Sequence, residues 1–295
     1  MASRPVVVGV DGSESSLLAA DWAADEALRH GVPLRLVYAS LWLRYEGAAL
    51  ASSLSRSDDQ VMAENVVGST AERVRGRAPS LRVTTEVLPE EAVGALLREG
   101  QNAFALVTGS RGRGEIVESL LGSVSLAVAA RAHCPVVVVR GDKAGLEGVH
   151  GRIALGVGDT DVDSAAVRFA FAEAQLRDCG LDVVRAWRCP SHETTIEPAD
   201  HYEAQASSLL DEALATAVRN YPDVAVRRVT AEGPARKVLL KHSAVADLLI
   251  VGARRRQNQF GMQLGRVAHT VLHHAACPVG VVPRGAESAP EEATP

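Results

Sequence analysis

The chain has 295 residues, long for one small domain and comfortable for two of roughly 150 residues each. Apolar residues at 47% and charged residues at 23% exclude wholesale disorder, and an aromatic content of only 4% favours helices packed on buried parallel strands over an aromatic-rich antiparallel sandwich. A net charge of −5 excludes the broad basic face that a nucleic-acid backbone requires, so no nucleic acid is expected as a partner.

Met1 is followed by Ala-Ser-Arg and a short valine run, too short and wrongly flanked for a signal peptide, and no apolar run approaches membrane length. A cytoplasmic protein with no membrane partner is the expectation. The run Val6 to Val10 has strand length, and Ser13 to Leu28 has helical spacing with Ser13 or Ser15 placed as its cap. Leu34 to Ala39 reads as a second strand, Asp58 to Gly76 as a second helix, Arg82 to Val87 as a third strand and Glu90 to Glu99 as a third helix. Phe104 to Thr108 is a fourth strand, Ser123 to Ala132 a fourth helix, and Pro135 to Arg140 a closing strand whose proline costs only its first amide.

Gly141 to Gly151 carries four glycines and no periodicity and reads as a linker, which puts domains at 1–141 and 152–285 with 142–151 between them. Beyond it the pattern starts again. Val6-Val7-Val8-Gly9-Val10-Asp11-Gly12-Ser13 returns as Ile153-Ala154-Leu155-Gly156-Val157-Gly158-Asp159-Thr160, and Trp22-Ala23 with Glu26-Ala27 returns as Phe169-Ala170 with Glu173-Ala174. Leu106-Val107-Thr108-Gly109 matches Leu249-Ile250-Val251-Gly252, and Cys134-Pro135-Val136 matches Cys277-Pro278-Val279, now in a slightly shorter register. Ala286 to Pro295 is expected to be a disordered tail. Apolar strands alternating with helices predict two doubly wound α/β domains in tandem, each a parallel five-stranded sheet with helices on both faces. Their closing strands are apolar edges, expected to pair with one another, and a homodimer of the whole chain is expected beyond that.

The chemistry sits after the fourth strand. Thr108-Gly109-Ser110-Arg111-Gly112-Arg113-Gly114 is followed, past a short hydrophobic stretch, by Leu121-Gly122-Ser123-Val124-Ser125 opening a helix. Glycines let backbone amides face a ligand, and a helix N-terminus attracts phosphate; Ser123 and Ser125 add hydroxyls. Asp11 falls just beyond the first strand, where doubly wound sheets place ligands, and a carboxylate there accepts from an adenine amino group or a ribose hydroxyl. The Gly-Lys-Ser/Thr core of a Walker loop is absent from this arrangement.

At these residues the sequence resembles the universal stress protein family in its tandem form. That family's ATP-binding pattern is a glycine, two residues, a second glycine, nine residues, then a glycine followed by serine or threonine. Gly109, Gly112, Gly122 and Ser123 reproduce it, and the Val-Gly-Val-Asp-Gly-Ser opening and His-Cys-Pro-Val closing are similar to the family too. The resemblance implies an adenine nucleotide α hydrolase-like, Rossmann-like fold. It also implies ATP as cofactor, with magnesium as an accompanying ion. Asp11 would contact the adenosine, the main chain near Ala39 the adenine, and Gly109, Arg111, Gly112, Gly122, Ser123, Val124 and Ser125 the phosphates. The function implied is a nucleotide-dependent stress-response regulator with a protein partner still to be identified. A slow ATPase and a scaffold that binds no nucleotide are the alternatives; with no positioned base apparent, fast catalysis is not expected.

The second copy departs from the pattern. Gly252 is kept, but Arg255 replaces the second glycine, Gly265 is followed by Arg266, and Gly158 replaces the first aspartate, with Asp159 one place late. Weak or absent nucleotide binding is expected there, unless Arg254, Arg255, Arg256 and Arg266 grip phosphate by charge. His133, His269, His273 and His274 read as solvent-facing helix-end residues in preference to a metal site, and His192 and His201 as loop or early-helix residues. Trp22 and Phe169 read as packing residues. Cys134, Cys179, Cys189 and Cys277 lack CxxC spacing and read as buried free thiols.

Overall fold

A computed structural model describes residues 3–41, 58–112, 121–158, 165–189, 198–253 and 264–285, and the chain divides into two compact units, Met1–Val139 and Arg140–Pro295. The first unit runs β1 (Val6–Gly9), α1 (Glu14–Arg29), β2 (Leu34–Ala39), α2 (Asp58–Arg77), β3 (Val83–Leu88), α3 (Ala92–Glu99), a 3-10 turn (Gly100–Asn102), β4 (Ala105–Gly109), α4 (Ser123–Arg131) and β5 (Val136–Val139). Its strands lie in the order β3-β2-β1-β4-β5 and every described pairing is parallel.

Continuous valine makes the inner strands. Val6, Val7 and Val8 are wholly buried, as is the run Val136 to Val139, because helices cover both faces of the sheet. Each such side chain stabilises the fold by about 1.5–3 kcal/mol. By contrast β3 lies at an edge and exposes Thr84 and Thr85. Small residues let α1 lie close on the sheet: Ala19, Ala20, Ala23, Ala24 and Ala27 are all buried. Of the two candidate caps it is Ser13 whose side chain accepts from the Ser16 amide, at 3.2 Å. The third helix starts at Ala92, because the Glu91 carboxylate takes the amides of Val93 and Gly94 at 3.0 and 2.8 Å.

The second unit runs α5 (Lys143–Glu147), β6 (Arg152–Gly156), α6 (Ala165–Leu176), β7 (Gly180–Trp187), α7 (Ala199–Asn220), β8 (Val226–Glu232), α8 (Ala235–Ser243), β9 (Leu248–Ala253), α9 (Arg266–His274) and β10 (Val279–Pro283). Its order, β8-β7-β6-β9-β10, repeats the first, again with parallel pairings. Val6 pairs with Leu34 as Ile153 pairs with Leu181, so the copies stay in step through their second strands. The next pairings, Leu34 with Val83 and Leu181 with Val226, span 49 and 45 residues. The shorter register of the second copy therefore arises between its second and third strands.

The glycine-rich segment after β5 is not irregular, as its sequence suggests. Asp142 caps α5 by accepting from the Gly145 amide at 2.9 Å, and Gly148 ends it in the left-handed region at φ 67°. Arg140 donates to the carbonyls of Ala275 and Leu272, and the Asp142 amide donates to Ala276 at 3.0 Å. Asp247 takes the amides of His150 and Arg152 at 2.9 and 3.2 Å. Glycine content without periodicity concealed a capped single turn that packs as the opening arm of the second unit. The tail expected from Ala286 lies outside the described residues.

One position separates the copies sharply. In β2, Arg35 donates to Glu99 at 2.8 Å and to Glu86 at 3.3 Å. The same register position in β7 is Asp182, which is buried and accepts from Arg152 at 2.6 Å and from Arg227. Burial alone would push the Asp182 carboxyl up, but hydrogen bonds from Arg227 and Arg152 outweigh it and hold the group below the usual carboxylate range.

Candidate functional site

In the first unit the strand order reverses direction between β1 and β4, and the crevice at their carboxyl ends is where an open α/β sheet receives a ligand. Asp11 sits at one lip of that crevice and the Gly109–Gly112 turn at the other. Oδ1 of Asp11 accepts from the Ser13 amide at 3.0 Å and the Ser13 hydroxyl at 2.6 Å, bracing the turn into α1. A Cβ added to Gly112 would stand 2.8 Å from Oδ2, so the carboxylate and the glycine turn are direct neighbours. Glycine at 112 is what lets them meet.

Gly109 is required for a different reason. A Cβ there would fall 2.6 Å from the Ser15 carbonyl oxygen, a clash with backbone that no rotamer relieves. The end of β4 is thereby pressed against the start of α1. Ser15, an alternative cap from the sequence, instead joins the two: its hydroxyl accepts from the Arg111 amide at 3.1 Å and lies 3.4 Å from the Ser110 hydroxyl. Sequence spacing gave no sign of this bridge, because it spans about a hundred residues.

The start of α4 closes the site. Gly122 is its N-cap, in an extended conformation (φ −62°, ψ 145°) that any residue adopts, and no side chain caps the helix. Two donors expected to face phosphate are otherwise engaged. The Gly122 amide donates to the Ser110 carbonyl at 2.8 Å, and the buried Ser125 hydroxyl donates to the Gly109 carbonyl at 2.7 Å. Both are brackets that fasten the helix to the glycine turn. What stays open is the first turn itself: the amides of Ser123, Val124 and Ser125, and the exposed Ser123 hydroxyl, make no bond among the described residues. Ala39 ends β2, and just beyond it Leu41, Pro89, Glu90, Glu91 and Gly94 line a cleft of about 550 Å³. The structure thus brings Asp11, Gly109, Arg111, Gly112, Gly122, Ser123, Val124 and Ser125 to one crevice, with Ala39 at the end of β2 on the same edge of the sheet.

In the second unit Gly252 lies in β9, Gly265 caps α9 and Arg266 is exposed at its first turn. Asp159, His192, Arg254, Arg255 and Arg256 lie outside the described residues. His133, His269 and His274 are exposed, while His273 is half-buried and stacked on His269 with ring centroids 4.5 Å apart. His201 is exposed in the first turn of α7. The four cysteines are free, but only Cys134 and Cys277 are buried; burial pushes their thiols up to about 11 and about 12. Cys179 is half-buried and Cys189 exposed, a correction to the expectation of buried thiols throughout. Phe169 is buried and Trp22 half-buried. No described helix is long and apolar enough to cross a membrane.

Comparison with known proteins bears on the family and the fold. The family model described as the universal stress protein family matches residues 2–140 and again 150–283. Universal stress protein Rv2005c of Mycobacterium tuberculosis is 35% identical over 285 residues, covering 93% of this chain and 95% of its own. A universal stress protein of Mycolicibacterium smegmatis is 32% identical over 286 residues, covering 94% and 96%. Among solved structures, a universal stress protein from Archaeoglobus fulgidus superposes with a TM-score of 0.68 at 17% identity over 97% of this chain and 100% of its own, which speaks for the fold. Two matches to one family model, two copies of one strand order and relatives similar over nearly their whole length lead to one conclusion: the chain belongs to the universal stress protein family, as a tandem of two such domains.

Proposed function

We propose that the first unit binds an adenine nucleotide, ATP with an accompanying magnesium ion, and that occupancy regulates the protein's engagement with a partner in a stress response. The observation that carries this reading is the uncapped first turn of α4 held by two brackets against the Gly109–Gly112 turn, with the Asp11 carboxylate beside it. Three free amides at a helix start favour an anion by geometry and by the helix dipole together. In this arrangement Ser123, Val124 and Ser125 offer their amides to the phosphates, and the Ser123 hydroxyl adds a donor. Oδ2 of Asp11 accepts from the ribose or the base, since Oδ1 is taken by Ser13. The base lies toward Ala39 and the cleft beyond it. Magnesium would be held by the phosphate oxygens, supplying charge neutralisation.

The test is to purify the chain, denature it and chromatograph the released small molecules, then follow ATP turnover by the refilled protein. Stoichiometric adenine nucleotide with turnover slower than about one per minute supports a binding regulator, since enzymes commonly turn over at 1–1,000 per second. Fast turnover makes it a hydrolase. No nucleotide and no titratable ATP site overturn the reading.

A further inference from the structure

Thr108 precedes Gly109 at the carboxyl end of β4. It is buried at 3% exposure, and its hydroxyl makes no hydrogen bond among the described residues. A buried hydroxyl without a partner is unfavourable, since water served it in the unfolded chain. The equivalent residue of β9 is Val251, the same shape without the oxygen, and it too is buried. A strand in this position needs no oxygen there to pack.

Register gives the face on which the hydroxyl lies. A Cβ built on Gly9 would meet Leu96 of α3 at 3.0 Å, and one on Gly156 would meet Leu239 of α8 at 2.8 Å and Cγ1 of Val251 at 3.4 Å. Val251 thus faces the α8 side of its sheet, and Thr108, by the same register, faces the α3 side of its own. The start of α4 comes down on that side: α4 packs against α3, and the Ser125 hydroxyl donates to the carbonyl of Gly109, the residue after Thr108, at 2.7 Å. The Thr108 hydroxyl and the three open amides of Ser123, Val124 and Ser125 therefore share one face and one end of the sheet. Asp11 is set apart from them, because it braces the turn into α1, and a Cβ on Gly109 would point at Ser15 of α1 on the opposite face.

The amides can only donate, and a hydroxyl beside them that also has a proton to give is completed by an acceptor with several lone pairs. Phosphate is such an acceptor. We propose that the Thr108 hydroxyl donates a hydrogen bond to a phosphate oxygen of the bound nucleotide, which makes Thr108 a phosphate contact outside the glycine motif. Rotation about χ1 exchanges hydroxyl and methyl on one Cβ, so the group turns to the ligand without moving the strand. The inference rests on the nucleotide site proposed for the first unit, and it adds a side-chain donor that the second unit, with Val251, lacks.

Thr108→Val and Thr108→Ser in the full chain test it, each measured by thermal unfolding without nucleotide and by calorimetric titration with ATP. Thr108→Val should melt at the parent's temperature or above, because a buried group without a partner gives way to one that needs none. Its ATP affinity should fall roughly tenfold, the loss of one hydrogen bond to a charged acceptor. Thr108→Ser keeps the hydroxyl and should bind ATP within about threefold of the parent. A lower melting temperature in Thr108→Val, or failure to fold, would give the hydroxyl a structural partner and overturn the proposal. Unchanged ATP affinity in Thr108→Val would overturn it too, as would an equal loss in both variants, which traces the effect to shape. A parent chain that binds no ATP removes the nucleotide site and this contact with it, whereas a parent and a Thr108→Val variant that bind equally well remove the contact alone.

Discussion

The two units share a strand order, and a register as far as their second strands, yet they place different groups at the carboxyl ends of those strands. In the first, backbone amides open the first turn of α4, and the bonds from Gly122 to Ser110 and from Ser125 to Gly109 hold that turn in place. In the second, Arg266 stands at the start of α9 and Arg185 and Arg188 at the end of β7, so side chains carry the positive character. Backbone amides are rigid, uncharged and available only where nothing larger than hydrogen intervenes, as at Gly109 and Gly112. Guanidinium groups carry full charge but reach from flexible stems. Repeating a fold therefore repeats the placement of strands and helices without repeating the groups at their ends.

Replacing Gly122 by Glu should break the comparison most completely. Its nearest neighbour, the Ser110 carbonyl, is 3.6 Å from an added Cβ and its φ is ordinary, so the side chain fits and the fold should stay intact by circular dichroism. The carboxylate would face the phosphates, and like charges at close quarters cost several kcal/mol, so ATP affinity should fall by about a hundredfold or more. Gly122→Ala, which adds a methyl without charge, should retain most binding; if Gly122→Glu binds like the parent, the phosphate site lies elsewhere.

Calorimetry with ATP sharpens the same contrast. A single strong site per chain is expected, with any second site weaker by about tenfold or more, because Gly265 is followed by Arg266 and not by serine or threonine. Two equal sites would mean that the arginines of the second unit replace the missing amides.

Asp11 deserves a paired substitution, since it both braces a turn and borders the site. Asp11→Ala should weaken ATP by about 1–3 kcal/mol and also loosen the entry to α1, whereas Asp11→Asn keeps an acceptor for Ser13 and should lose affinity with little change in melting temperature. Equal losses of stability in both variants would show that the brace depends on charge.

The smallest effect concerns acid. The folded Asp182 carboxyl is held below its unfolded value near 3.9, so its stabilisation is complete above that value and disappears as pH falls through the lower folded one. Asp182→Asn should cost about 1 kcal/mol at neutral pH and flatten the decline in stability of the second unit below about pH 4. An unchanged acid limb in that variant would place the sensitivity in other carboxylates.

Much of this was legible in the sequence for a simple reason: strands buried on both faces must be apolar throughout, and Val6 to Val10 or Pro135 to Arg140 admit few other readings. The glycine motif was legible too, because close backbone approach leaves one residue type. What escaped was long-range bonding. That Ser15 would bridge to Arg111, or that Ser125 would turn its hydroxyl to Gly109, depends on the sheet bringing distant residues together, and residue type alone does not say which partner a serine takes.

The opposite charges at Arg35 and Asp182 bear on how a chain made of two near-copies avoids assembling wrongly. Tandem repeats risk exchanging equivalent strands while they fold. If β2 took the place of β7, Arg35 would be lodged between Arg152 and Arg227, three cations with no acid among them. If β7 took the place of β2, Asp182 would face Glu86 and Glu99. Either exchange sets like charges together at the half-buried level of the sheet, where repulsion is poorly screened. A single inverted pair thus gives each second strand a charge that suits its own unit and not the equivalent place in the other.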